Sequence, residues 1–272
     1  MNRRILSVCA IALFCWVGAV QSENIKTKKI SAYPVPTIRE EQHIVVSGVT
    51  ETWRLQWNAA PKPHCGANES DLALTCPCMG FAYGESGDLY LVRVRNATEV
   101  DRLHLTPLFQ EEKTAIVQRW PKDEKRDDFK LSQREDFSDI VSKRPTVQVM
   151  RFDDYDHDGN RTEFYLQTEA VPCGKSVGVV VGLSMNDARL HVFGTASDPS
   201  KPLYMQKREW QALRDASSGP VNIVDWSCGD HGADTQTEIR LQWSQKGIDG
   251  KRREYTCPSD NETRRLISER PL

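Results

Sequence analysis

The chain has 272 residues, 39% of them hydrophobic and 27% charged, a globular composition that argues against a disordered, collagen-like or polytopic membrane protein. Lys and Arg total 36 against 38 Asp and Glu. With no broad excess of positive charge, the sequence offers no face for nucleic acid.

Residues 1–22 read as a secretory signal peptide. Arg3 and Arg4 give a positive start, Ile5 to Val20 is apolar apart from Ser7, and small residues surround a cleavage point near Ser22,. The apolar run is shorter than the roughly 18 to 20 residues that span a bilayer, so no transmembrane anchor is expected in the mature chain. The expected compartment is therefore extracellular or periplasmic. Residues 23–42 are polar with scattered Pro and read as a loose N-terminal arm.

Residues 43–272 read as a mainly β domain. Strand-like runs are expected at 43–49, 53–57, 88–95, 115–120, 146–152, 163–168, 176–184, 189–194, 221–226, 238–243 and 253–257, punctuated by Gly, Pro, Asn and Asp. Two stretches, 137–143 and 204–215, read as short helices; in the second, Trp210 and Leu213 lie three apart among good helix formers. Residues 121–136 are dense in both charges and read as a solvated excursion.

Two segments echo each other. Val147-Gln148-Val149-Met150-Arg151-Phe152 aligns with Val221-Asn222-Ile223-Val224-Asp225-Trp226, and at the same offset Asp156-His157 falls on Asp230-His231. One residue later Thr162-Glu163 falls on Thr237-Glu238. Residues 147–168 and 221–243 thus read as diverged strand-loop-strand repeats, with a fainter echo at 50–57. A β-propeller-like or β-sandwich arrangement with one or two short helices is the expected fold class.

Cys9 and Cys15 lie in the leader, leaving Cys65, Cys76, Cys78, Cys173, Cys228 and Cys257. An even count in an exported chain reads as three disulfides. Cys76 and Cys78 point to opposite faces of any extended strand and are not expected to pair. If 221–257 forms a strand followed by a hairpin, Cys228 and Cys257 close it, leaving Cys173 for one of the other three. A zinc or copper site at His64, Cys65, Cys76 and Cys78 is the competing reading, and it needs thiolates kept reduced outside the cytosol.

The chemistry is densest between residues 153 and 163. Alternating Asp154, Asp156 and Asp158 allow a curled backbone to turn several carboxylates toward one centre, and Gly159 permits the sharp bend. Hard oxygen donors in this number suit Ca²⁺, with Asp154, Asp156 and Asp158 as side-chain ligands, the Asn160 carbonyl as another and Glu163 as the closing carboxylate. An EF-hand does not fit, because Tyr165 stands where its bidentate Glu belongs and the flanks are strand-like.

Asp154-Tyr155-Asp156-His157-Asp158-Gly159, entered from one strand and left through Glu163 into another, resembles the calcium loop of FG-GAP and VCBS repeats in integrin-like β-propellers. The resemblance covers 147–168 and faintly 221–243, and this loop is one residue longer before its acidic end. It implies a calcium loop between strands. The second copy has Cys228 and Gly232 at carboxylate positions and is not expected to hold calcium.

No catalytic set stands out. Gly182-Leu183-Ser184-Met185-Asn186 lacks the last Gly of a nucleophile elbow and runs into another strand, which reads as a hairpin. The expectation is an exported, calcium-binding, disulfide-stabilised binding or structural module whose partner is an unidentified protein or glycan. A secreted hydrolase and a carbohydrate-binding or adhesion domain using exposed Trp are the alternatives.

Overall fold

The computed structural model describes residues 35–64, 81, 83–110, 113–121, 134–171, 175–184, 187–216, 219–244, 246–258 and 263–272. Strands β1 (Thr37–Val46) and β2 (Val49–Trp57) form an antiparallel hairpin, with Val46 opposite Val49 and Thr37 opposite Trp57. Its turn residues Ser47 and Gly48 have φ of 49° and 79°, the left-handed pair a two-residue turn requires. Short strands β3 (Lys62–His64) and β4 (Gly84–Gly87) follow. Then β5 (Leu89–Arg95) pairs with β2, and β6 (Thr98–His104) pairs with β5, giving a first sheet in the order β1-β2-β5-β6. A second sheet, β3-β4-β7, is completed by β7 (Ala115–Gln118).

Helix α1 (Phe137–Ser142) leads by an extended segment and the acidic turn to β8 (Glu163–Val171) and β9 (Lys175–Ser184). β9 pairs with β8 along one edge. Along the other it pairs with β10 (Asp187–Val192) and the two-residue β11 (Met205–Gln206). Helix α2 (Lys207–Asp215) follows β11, and its first turn is capped by Glu209, whose carboxylate accepts the Gln206 N–H at 2.8 Å,. The chain closes in an antiparallel meander of β12 (Val221–Trp226), β13 (Thr235–Ser244), β14 (Gly247–Thr256) and β15 (Leu266–Pro271).

The period-two pattern places Trp53, Leu55 and Trp57 of β2 and Leu89 and Leu91 of β5 on one buried face,. They share a core with Phe164, Leu166, Val179 and Val181 of the β8–β9 pair. The opposite face of β9 carries Val180 into a second core with Trp210 and Leu213 of α2 and with Ile239, Leu241 and Ile248 of the meander. With cores on both sides, β9 is apolar from Val177 to Leu183 instead of alternating, as strands covered on two faces are,.

The strands expected around 53–57, 88–95, 115–120, 163–168, 176–184, 189–194, 221–226, 238–243 and 253–257 are present, as are both helices. Three differences have clear causes. β1 begins at Thr37, inside the expected arm, because the neighbouring edge of β2 supplies a ladder that polar residues can join. Strands β6 and β15 escaped notice because both are largely exposed edges with little apolar signal,. Residues 146–152 are extended but unladdered: the Val149 N–H donates to the Glu40 carboxylate at 2.7 Å, the Met150 N–H to the same group at 3.2 Å, and the Val147 N–H to Arg119 O at 2.7 Å. The Glu40 side chain of β1 and the backbone just after β7 thus take hydrogen bonds a neighbouring strand would have made. Much of the charged 121–136 stretch lies outside the described residues.

Candidate metal centre

The acidic turn begins and ends at one backbone bridge. Asp153 N–H donates to Glu163 O at 2.8 Å and Glu163 N–H donates back at 3.3 Å. Between them the carboxylates organise the backbone: Asp154 accepts the N–H groups of Asp158 at 3.1 Å and Gly159 at 3.0 Å, Asp156 accepts Asp158 N–H at 3.1 Å, and Asp158 accepts Asn160 N–H at 2.7 Å. His157 and Gly159 take positive φ of 60° and 86°, which is the coil the alternating pattern required.

The turn is also fastened to the second core. Tyr155, 5% exposed, meets Trp210 edge to face with ring centroids 6.4 Å apart. His157 directs Nε2 to Leu213 O at 3.1 Å. It thereby faces the end of α2. Asp153 is occupied by Arg161 and Arg214, each at 3.1 Å.

These constraints bring carboxylate oxygens of Asp154, Asp156 and Glu163 within 4.8 Å of one another. Of the five residues expected as ligands, these three converge and Asp158 stands outside the group; Asn160 is exposed, with its N–H given to Asp158. Glu163 is fully buried. Its Oε2 accepts Tyr155 N–H at 2.8 Å and its Oε1 accepts the Thr162 hydroxyl. Burial, reinforced by the charges of Asp156 and Asp158, pushes its carboxyl up to about 8. A buried carboxyl facing like charges is costly when ionised, and a cation with two or more positive charges reverses that cost. The donor set is all oxygen, which suits a hard divalent ion.

One residue that the sequence reading weighed only as part of a near-elbow makes this possible. Gly182 of β9 lies opposite Glu163, and a Cβ there would sit 2.3 Å from Thr162 O and 2.7 Å from Glu163 Cα. Its absence lets β9 close over the glutamate. A glycine interrupting the apolar run 177–184 was the available signal.

The second copy folds differently at its corresponding positions. Glu238, aligned with Glu163, has its carboxylate bonded by Arg264 and by Gln236 Nε2 at 2.8 Å, so an arginine supplies the charge that a metal would. The turn between β12 and β13 is fastened instead by Cys228 and Cys257, a disulfide-distance pair with Cα atoms 5.5 Å apart. This is the pairing the hairpin spacing suggested. Cys65, Cys76, Cys78 and Cys173 lie outside the described residues, as does the rest of the His64 metal reading.

Ser184 ends β9 opposite Asp187, confirming the hairpin in place of an elbow. His191 Nδ1 faces Arg189 O at 3.0 Å, and Asp225 accepts Gln206 Nε2 at 2.9 Å. No hydrogen bond joins Ser184, His191 and Asp225 among the described residues. No helix among the described residues is long and apolar enough to cross a membrane.

Compared with known proteins, the chain matches no family model, no curated protein and no solved structure. Fold and site define its class: a mainly β protein of antiparallel sheets carrying an acidic triad able to hold a metal ion.

Proposed function

We propose that the 154–163 turn is a calcium site and that the protein is an exported, disulfide-stabilised binding or structural module. The convergence of Asp154, Asp156 and the buried Glu163 carries the reading. Ordered backbone N–H groups already hold Asp154, Asp156 and Asp158, so much of the entropy of assembling ligands is spent in folding. The resemblance to FG-GAP and VCBS loops supports calcium over other divalent ions. The Cys228–Cys257 pair supports an oxidising compartment, where calcium reaches millimolar levels and an affinity of about 10⁻⁴ to 10⁻³ M suffices.

At several times the dissociation constant, calcium should stabilise the folded protein by on the order of 1 kcal/mol, raising its melting temperature by a few degrees. Thermal unfolding in millimolar calcium and in chelator measures this. Identical melting temperatures in the two solutions would remove the calcium site.

A further inference from the structure

Between residues 147–152 and β8 the backbone pairing is confined to the Asp153–Glu163 bridge, beside which Phe152 packs edge to face on Phe164 with ring centroids 5.6 Å apart, and no ladder joins the two segments upstream of it. By contrast β12 and β13 remain paired from Trp226 opposite Thr237 to Val221 opposite Leu241. Beside the unpaired 147–152 stretch there is a groove of about 450 Å³, lined by residues 147–149, by Tyr165 and Leu166 of β8 and by residues 116–118 of β7. Both β7 and β8 are end strands of their sheets among the described residues. The N–H and C=O of Glu163 point outward to Asp153. Those of Tyr165, two residues on, therefore face the same way, into the groove.

The rim is basic. Arg151, Arg161, Lys207 and Arg214 line the groove, and Asp153 is the single carboxylate among its described lining residues. Asp153 is already bonded by Arg161 and Arg214. Arg151 and Lys207 are exposed and form no ion pair among the described residues. An occupant must therefore supply backbone donors and acceptors to a strand edge, small apolar side chains for the gap, and negative charge for the rim.

We infer that this groove binds an extended, acidic peptide segment of a partner protein, which adds a strand beside β8. The inference extends the binding-module reading to a class of partner, at a place that does not include the metal triad.

The probe is a capped six-residue peptide alternating Val and Glu, titrated against the full chain in calcium and in chelator. Saturable binding is expected. It should weaken by about tenfold in the Arg151→Glu, Lys207→Glu double variant, whose exposed positions leave the fold intact. It should also be lost when alternate amides are N-methylated in at least one of the two registers, and be absent for a Val and Lys peptide. No saturable binding, indifference to N-methylation in both registers, or equal affinity for free glutamate would overturn the inference. A peptide that binds equally in both solutions while the melting temperature ignores calcium would count against the calcium site alone.

Discussion

The Glu163 carboxylate reaches back across the acidic turn and accepts the Tyr155 N–H at 2.8 Å. A residue eight positions downstream thus closes the turn, and it does so from a fully buried place on β8. Its two neighbours in the triad are only half-buried. A cation entering here would meet two carboxylates from the solvent side and one from within the protein.

Substitutions should separate ligand from scaffold. Asp154→Ala and Asp156→Ala are each expected to abolish the calcium-dependent rise in melting temperature, because each removes one of three converging carboxylates. Asp158→Ala, outside the triad, should leave a reduced rise. His157→Ala should leave it nearly whole, since its ring is turned to Leu213 O. Differential scanning calorimetry with and without calcium checks the series, and a full response from Asp156→Ala would contradict the geometry.

Glu209 provides a pH dependence that does not involve the metal turn. It is 2% exposed, and burial, together with the nearby Asp225 charge, pushes its carboxyl up to about 7. The folded protein therefore holds this proton more tightly than the unfolded chain, whose glutamate releases it near pH 4.5. The protonated state favours folding, so this contribution is fully present below pH 4.5 and is lost as pH rises toward 7. Glu209→Gln keeps an acceptor for the Gln206 N–H. The variant should match the wild type near pH 4 and exceed it by about 1 to 3 kcal/mol above pH 7. Urea denaturation at the two pH values measures the difference; a constant offset would refute the shift.

The Cys228–Cys257 link closes a separation of 29 residues, for which chain entropy gives about 3 to 4 kcal/mol of stabilisation. Cys228→Ser should lower the denaturation midpoint accordingly, and peptide mapping of unreduced protein should recover the two cysteines in one linked fragment. Finding Cys228 joined to Cys173 would displace this pairing.

The turn between β5 and β6 holds Asn96 and Ala97 at φ of 48° and 61°. Asn tolerates this region and alanine does so at a cost, while glycine occupies it freely. Ala97→Gly is expected to stabilise the protein by about 0.5 to 1 kcal/mol, the reverse of the usual glycine penalty in a strand. A lower melting temperature for this variant would contradict the turn geometry.

The features legible in the sequence are those made by residues close along the chain. β2 announced itself by buried alternation, β9 by an unbroken apolar run, α2 by Trp210 and Leu213, and the acidic turn by carboxylates that bond N–H groups two to five positions away. The Cys228–Cys257 pair was legible for the same reason, since a single hairpin brings its ends together. What depended on partners remote in sequence was decided by the tertiary structure. Residues 147–152 carry a strand pattern, yet Glu40, more than a hundred positions earlier, takes the N–H groups of Val149 and Met150. β6 and β15 are strands because β5 and β14 present open edges to them. The burial of Glu163 depends on Gly182, nineteen positions on, whose lack of a Cβ lets β9 approach the backbone of β8 at that residue. Local hydrogen bonding can be read from spacing, whereas burial and edge pairing arise only when distant segments exclude water together.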